Sequence, residues 1–111
     1  MAETLESIFA DIRSRVLRKP PAVRAGAAAT YRFEITGEGG GVMTLVVEAG
    51  GAEVEAGGVR PAAVQFRLSM QDLRDLAGGR IRPFGLVLSG RLKITGNLSL
   101  AMRLGDILKP E

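Results

Sequence analysis

The hydrophobic period of the chain changes near Ser69, and this change most limits what the chain can fold into. Before Ser69, apolar and polar residues alternate at 31–35 and 64–68, which is the period of half-buried strands. Beyond it, the apolar residues of 70–77 recur at the spacing of one helical face. Several strands followed by helices are typical of an α+β domain. We therefore predict the α+β class, with a single domain that spans residues 1–111.

Prolines and glycines divide the sequence into elements. Apolar residues between Leu5 and Val16 predict a helix that ends before Pro20, because proline lacks an amide donor and restricts the residue before it. The alanine-rich residues 22–29 are predicted to form a connector. Four strands then follow as an antiparallel meander, and after Ser69 come two short helices, a strand and a last helix. No linker or repeat interrupts this order.

The chain has no histidine and no cysteine, and this excludes much catalytic chemistry. Histidine is the usual group for proton transfer near neutral pH, and cysteine supplies thiolate nucleophiles and zinc ligands. The serines therefore have no histidine to activate them. Gly37 and Gly39 precede a strand rather than a helix, so they do not present a helix N-terminus to a phosphate. The sequence predicts a protein that is not an enzyme and that uses no metal and no cofactor.

Positive charge gathers in the C-terminal third of the chain. Four cations flank a short apolar segment that begins with a proline: Arg80, Arg82, Arg91 and Lys93. Such a cluster can contact a lipid headgroup or an anionic membrane surface, and the alternative is an ordinary solvated rim. Nucleic acid is disfavoured as a partner, because binding of single strands needs aromatic stacking platforms and this stretch contains one aromatic residue, Phe84.

The last predicted helix, 98–108, is apolar around most of its circumference. Its apolar residues cover an arc of about 220°, whereas a surface helix needs only about 100° to face a core. The segment 84–88 has no polar side chain. A domain of this size has little core with which to bury both segments. One hypothesis is an apolar cavity or groove lined by the C-terminal third, and the other is a densely packed core.

Residues 89–97, Ser-Gly-Arg-Leu-Lys-Ile-Thr-Gly-Asn, resemble the central motif of a known domain family. The proline-led apolar segment before them and the Leu/Ala/Met-rich helix after them complete a pattern that is similar to the sterol carrier protein type 2 (SCP-2) domain. Arg91 stands where the family usually has lysine, and Asn97 stands where it usually has aspartate. Both replacements keep the chemical role, a cation and a helix cap. The resemblance covers about residues 30–108.

The resemblance implies a five-stranded, mostly antiparallel sheet covered by helices, with a hydrophobic tunnel between the sheet and the helices. It also places the strand at 92–95 beside the first strand. Family members bind or transfer lipids, so the resemblance implies a carrier for a fatty acid, an acyl-CoA, an isoprenoid or a sterol-like molecule. The alternative function is a non-catalytic accessory module of a lipid-related enzyme assembly, such as one for ubiquinone biosynthesis. In that alternative the apolar surface holds a protein partner.

The excess of apolar faces and the family plan together predict which side chains line the cavity. They are Phe66, Leu73, Leu76, Phe84, Leu88, Ile94, Leu98, Met102 and Ile107. Flexible leucine and methionine side chains would let one site accept chains of different shape. The polar end of the ligand is expected near the basic residues at the mouth of this cavity.

The sequence features that bear on the cellular compartment favour the cytoplasm. No basic and apolar leader opens the chain, and the absence of cysteine fits a reducing compartment. The chain ends Leu108-Lys109-Pro110-Glu111, which lacks the Ser-Lys-Leu type of peroxisomal address. The composition, rich in arginine, alanine and glycine, resembles that of bacterial proteins. We therefore expect a cytoplasmic protein of bacterial type.

Overall fold

The computed structural model describes residues 4–58 and 60–108, except for the side chain of Phe84. The helices are α1 (Leu5–Leu17), α2 (Pro21–Gly26), α3 (Met70–Ala77), α4 (Pro83–Leu88) and α5 (Leu98–Leu108). The strands are β1 (Ala29–Thr36), β2 (Gly41–Glu48), β3 (Gly51–Ala56), β4 (Val64–Ser69) and β5 (Lys93–Gly96). This order confirms the predicted elements and the α+β class. It adds α2, which lies where we predicted only a connector.

Helix α2 forms because its sequence has a proline in the first turn and alanines after it. Pro21 occupies the first turn, where a missing amide donor costs nothing, and alanine has the highest helix propensity. The preceding helix, α1, begins at a capping box in which Thr4 and Ser7 exchange hydrogen bonds through backbone amides and hydroxyls. Two prolines therefore separate two helices, rather than a helix from a loop.

The sheet has five strands in the order β3-β2-β1-β4-β5. Strand β1 pairs antiparallel with β2 and parallel with β4, while β2–β3 and β4–β5 are antiparallel. The predicted mostly antiparallel sheet is therefore confirmed. Two details of the prediction were wrong: the meander ends after β3, and β5 lies at the edge beside β4 rather than beside β1.

The connection between β3 and β4 explains both corrections. It carries the chain past β2 and β1, and the guanidinium of Arg32 on β1 donates hydrogen bonds to the carbonyls of Gly58 and Arg60 in this connection. Strand β4 then pairs along the free edge of β1 and runs parallel to it. That edge is no longer available to β5. Alternation along a strand shows which side chains share a face, but it contains no information about which edge the strand joins.

The helices pack on one face of the sheet and leave the other face, here called the uncovered face, without a helix among the described residues. The covered side holds a cluster of four aromatic rings. Phe9 of α1 meets Phe33 edge-on at 5.0 Å, and Phe66 stacks on Phe33 at 4.8 Å and on Tyr31 at 6.3 Å. Each such pair adds about 0.5–1.5 kcal/mol beyond simple burial. This cluster occupies the centre of the layer between sheet and helices.

Candidate functional site

An open groove lies between α2 and α5, and we call it the α2–α5 groove. Its volume is about 530 Å³ and it is open to solvent. Its lining consists of Lys19, Pro20, Ala22, Val23, Gly26, Arg103, Asp106 and Ile107. Small and branched apolar side chains therefore form most of the surface, and charged groups stand at its rim. This combination suits a ligand with an apolar body and a polar end.

Arg103 connects the two sides of the α2–α5 groove. Its Nη1 donates a hydrogen bond to the carbonyl of Gly26, the last residue of α2, at 3.0 Å. The neighbouring Tyr31 is fully buried, and its hydroxyl donates to the carbonyl of Ala27 at 2.6 Å. Burial raises the pKa of Tyr31 to about 12, while the charge of Arg103 lowers it somewhat. The hydroxyl therefore stays protonated near neutral pH and holds the junction of α2 and β1.

The side chains predicted to line the cavity occupy three different environments. Phe66, Leu73 and Ile107 are buried, and Leu76 and Ile94 are half-buried. Leu88, Leu98 and Met102 are exposed by 72%, 59% and 67% of their surface. The side chain of Phe84 lies outside the described residues. Of the predicted set, Ile107 lines the α2–α5 groove, and the structure brings no larger part of the set together there.

The α2 side of this groove was missed by sequence reasoning. Ala22, Val23 and Gly26 belong to a segment that we interpreted as a connector. A signal was present, since Pro20-Pro21 before an alanine-rich run is a helix start with proline in the first turn. The pairing of α2 with α5 had no such signal, because it depends on how the sheet positions both helices.

The four predicted basic residues do not form one cluster. Arg80 pairs with Asp75 of α3 at 3.0 Å, and Arg91 pairs with Asp72 of α3. The hydrogen bond and charge of Asp72 raise the pKa of the Arg91 guanidinium. Arg82 is the exposed N-cap residue of α4, and Lys93 lies on the uncovered face opposite Arg67 of β4. The two acids of α3 therefore partly neutralise half of the predicted set.

Two further classes of site are absent from residues 4–58 and 60–108. No helix there is both long and apolar enough to cross a membrane. The same residues contain no group of three or more acidic, histidine or cysteine side chains that could hold a metal ion.

The fold is that of solved sterol carrier proteins. The sterol carrier protein 2 like 2 of Aedes aegypti superposes with a TM-score of 0.75 over 92% of this chain and 94% of that chain, at 20% sequence identity. The class defined by the fold is therefore the SCP-2 class, an α+β sheet with helices on one face.

Sequence comparison shows the family of the chain as well as its fold. The model of the SCP-2 sterol transfer family matches residues 9–109, so the chain belongs to that family. It is 26% identical over 113 residues to non-specific lipid-transfer protein-like 1 of Caenorhabditis elegans, and the match covers 100% of this chain and 95% of that protein. The resemblance recognised in the sequence is thereby confirmed.

A second group of relatives consists of longer proteins. The chain is 30% identical over 107 residues to hydroxysteroid dehydrogenase-like protein 2 of Rattus norvegicus. That match covers 96% of this chain but only 19% of the relative. The chain thus spans about a fifth of the length of the dehydrogenase-like proteins that it matches, and in them the corresponding region is one part of a larger protein.

Proposed function

We propose that the chain is a non-catalytic lipid carrier that holds one long apolar molecule with its body in the α2–α5 groove. The observation that carries this proposal is a groove of about 530 Å³ with a mainly apolar surface in a member of the SCP-2 sterol transfer family. Its volume falls within the range of roughly 300–1,000 Å³ that is usual for small-molecule sites. The name of the lipid-transfer relative from Caenorhabditis elegans supports the same function.

The chemistry of the groove favours an amphipathic ligand. Val23 and Ile107 provide apolar contact. Among the described residues, Arg103 donates one hydrogen bond, to Gly26, and its other donors are available to a ligand. A fatty acid, an acyl-CoA, an isoprenoid or a sterol-like molecule with a hydroxyl satisfies this pattern. Burial of the apolar part contributes about 25 cal/mol for each Å² removed from water.

Two tryptophan variants test the location. Val23→Trp fills the groove from an exposed position of α2, so it should leave the fold intact and weaken uptake of a fluorescent fatty acid by about tenfold or more. Met102→Trp, on an exposed position of α5 outside the groove lining, is the matched control and should bind normally. Loss of binding in Met102→Trp alone would overturn the groove location and favour the lining predicted from sequence, which includes Leu98 and Met102.

We also propose that α4 makes a transient contact with an anionic membrane during lipid transfer. Val87 and Leu88 are exposed on this helix, and Arg82 lies at its start. A cation near an anionic surface is worth about 1 kcal/mol at moderate salt. Arg80 and Arg91 contribute less to this contact, because α3 already provides their counter-ions. Lys93 is directed to the uncovered face.

Transfer kinetics test the membrane contact. The double variant Arg82→Glu/Leu88→Ser should slow transfer of a lipid to anionic vesicles at low salt while leaving the affinity for that lipid unchanged. Arg18→Glu is a suitable control, since it reverses an exposed charge at the end of α1. Equal transfer rates for the double variant and the unaltered protein would contradict the proposal.

The second candidate function is an accessory module that binds a protein. The observation in its favour is that Leu88, Leu98 and Met102 are the most exposed large apolar side chains of the described residues. The longer relatives, in which a similar region is one part, are consistent with it. Native mass spectrometry after mild purification separates the two functions. A carrier retains an endogenous lipid, whereas an accessory module is empty and purifies with an enzyme.

A further inference from the structure

The uncovered face of the sheet contains a second groove, which shares no lining residue with the α2–α5 groove. Its volume is about 200 Å³. It is lined by Glu34 of β1, by Gln65, Phe66 and Arg67 of β4, and by Lys93 and Thr95 of β5. Phe66 directs its ring into the aromatic cluster on the covered side, so the groove is lined by polar and charged residues, whose aliphatic stems form most of its surface. Nothing in the proposed lipid carrier function uses these residues.

Two cations face each other across the strands that form this groove. In the antiparallel pairing of β4 with β5, Arg67 is directly opposite Lys93. Side chains in such positions have Cβ atoms only about 4.5–5.5 Å apart, and like charges placed there destabilise the sheet. Neither side chain forms an ion pair or hydrogen bond with any described residue. A bound anion would offset the repulsion expected between these two cations.

Two other arginines near this face have hydrogen-bond or ion-pair partners, although the buried Nε of Arg32 has none among the described residues. Arg32 donates hydrogen bonds to the carbonyls of Gly58 and Arg60, at 3.0 and 2.7 Å. Arg60 in turn forms an ion pair with Glu55 of β3. Arg32 and Arg60 are therefore engaged elsewhere, whereas the donors of Arg67 and Lys93 have no partner among the described residues.

Neighbouring groups restrict which anion can bind. Gln65 and Thr95 are opposite each other one position along the same strand pair, and they add an amide and a hydroxyl to the groove. Glu34 is in register with Arg67 on the other side of β4, yet it forms no ion pair with it among the described residues. Its carboxylate repels a large polyanion such as a nucleic acid. The volume suits a headgroup rather than an acyl chain.

We propose that Arg67 and Lys93, assisted by Gln65 and Thr95, form a site for one phosphate-type oxyanion on the uncovered face of the sheet. Hydrogen bonds from charged donors to phosphate oxygens are roughly twice as strong as neutral ones, and arginine can bind phosphate through two parallel bonds. The oxyanion is either free inorganic phosphate or the phosphate of a lipid headgroup. Both present the same chemistry to the groove.

Titration with inorganic phosphate at low ionic strength, followed by ¹⁵N NMR of the full chain, tests the site. Saturable shifts are expected at the amides of 65–67 and 93–95. The double variant Arg67→Gln/Lys93→Gln should weaken binding by about tenfold or more. Glu34→Gln should tighten binding by about threefold, because it removes the opposing charge. Arg18→Gln removes an exposed cation at the C-cap of α1, and this variant should bind as the unaltered protein does.

A parallel titration with a short-chain phosphatidic acid, below its micelle concentration, distinguishes the two sources. Tighter binding than inorganic phosphate, lost in the double variant, assigns the site to a lipid headgroup. Equal affinity for both assigns it to phosphate itself. Linear shifts without saturation, or the same affinity in the double variant as in the unaltered protein, would overturn the proposal. Val23→Trp should leave phosphate binding unchanged, so failure of the carrier proposal and failure of this one are distinguishable.

Discussion

At the scale of single residues, Arg24 is the buried cation on which several elements depend. Its Nη2 donates to the carbonyl of Ala49 in the turn between β2 and β3, at 2.8 Å. Its Nη1 donates to the carbonyls of Leu17 and Lys19 at the end of α1. A buried guanidinium is tolerated only when its donors are satisfied, and the last carbonyls of a helix need such donors. Arg24 therefore joins α1, α2 and the β2–β3 hairpin.

Replacing Arg24 should lower stability without changing the fold. Arg24→Met keeps the length of the side chain but leaves the carbonyls of Leu17, Lys19 and Ala49 without this donor. Hydrogen bonds from a charged donor contribute about 1.5–3 kcal/mol, so we expect a loss of roughly 2–4 kcal/mol in the free energy of unfolding. Urea denaturation measures it. Arg18→Met, at an exposed neighbouring position, should change stability by less than about 0.5 kcal/mol. Equal losses in the two variants would contradict this role.

Tyr31 is expected to give the protein an alkaline pH dependence. Burial raises its pKa from 10.0 to about 12, with a smaller opposing effect of Arg103. Between these values the unfolded chain loses the proton while the folded chain keeps it, so stability falls as pH rises from 10 towards about 12. The full difference corresponds to about 3 kcal/mol. Urea unfolding at a series of alkaline pH values measures the slope.

Tyr31→Phe is the control for this dependence. The variant keeps the ring stacked on Phe66 and removes the ionisable hydroxyl. It should lose about 1 kcal/mol near neutral pH with the hydrogen bond to Ala27. The part of the alkaline slope that belongs to Tyr31 should be absent from it. An identical slope in both proteins would show that other groups cause the effect.

At the scale of elements, the attachment of β5 depends on a glycine. Gly96 ends this short edge strand with φ of +95°, and a Cβ there would lie 2.2 Å from the carbonyl oxygen of Ala63. The same carbonyl accepts a hydrogen bond from the amide of Asn97 at 2.9 Å, and Asn97 directly precedes α5. A close backbone contact therefore positions both β5 and α5.

Gly96→Ala should push residue 96 away from the backbone of Ala63, because alanine is strained at this φ and its Cβ would clash with the Ala63 carbonyl. We expect the domain to lose more than about 1 kcal/mol of stability. The matched control is Gly105→Ala in α5, where an added Cβ meets nothing within 4 Å. That change should be neutral or stabilising by up to about 1 kcal/mol, because alanine is the better helix former. Thermal unfolding of both variants tests the pair, and a stable Gly96→Ala would show that the Ala63 contact is dispensable.

At the scale of the whole molecule, lipid binding should raise stability by mass action. A ligand at 100 times its Kd adds about 2.7 kcal/mol, which for a domain of this length raises Tm by roughly 10 °C. Scanning calorimetry with and without a long-chain fatty acid measures the shift. Val23→Trp should show a much smaller shift and Met102→Trp the full one. A constant Tm at saturating lipid would count against the carrier function.

Local features of the sequence were sufficient to predict most elements. The alternation around Phe33 and Phe66 identified strands and the faces that carry their rings. Ser69, which accepts a hydrogen bond from the amide of Asp72, was recognisable as the cap of α3. Helix α2 was missed, although Pro21 marked its start, because alanines give no amphipathic pattern.

The sequence by itself determined the class of the fold, the faces of the strands, the caps and the family, because period, proline position and motif spacing are properties of neighbouring residues. The tertiary structure decided the edge that β5 joins, the α2–α5 groove and the opposition of Arg67 and Lys93. These features depend on pairings between distant segments. A strand with the same alternation can pair along any free edge, and only the complete set of buried contacts selects one.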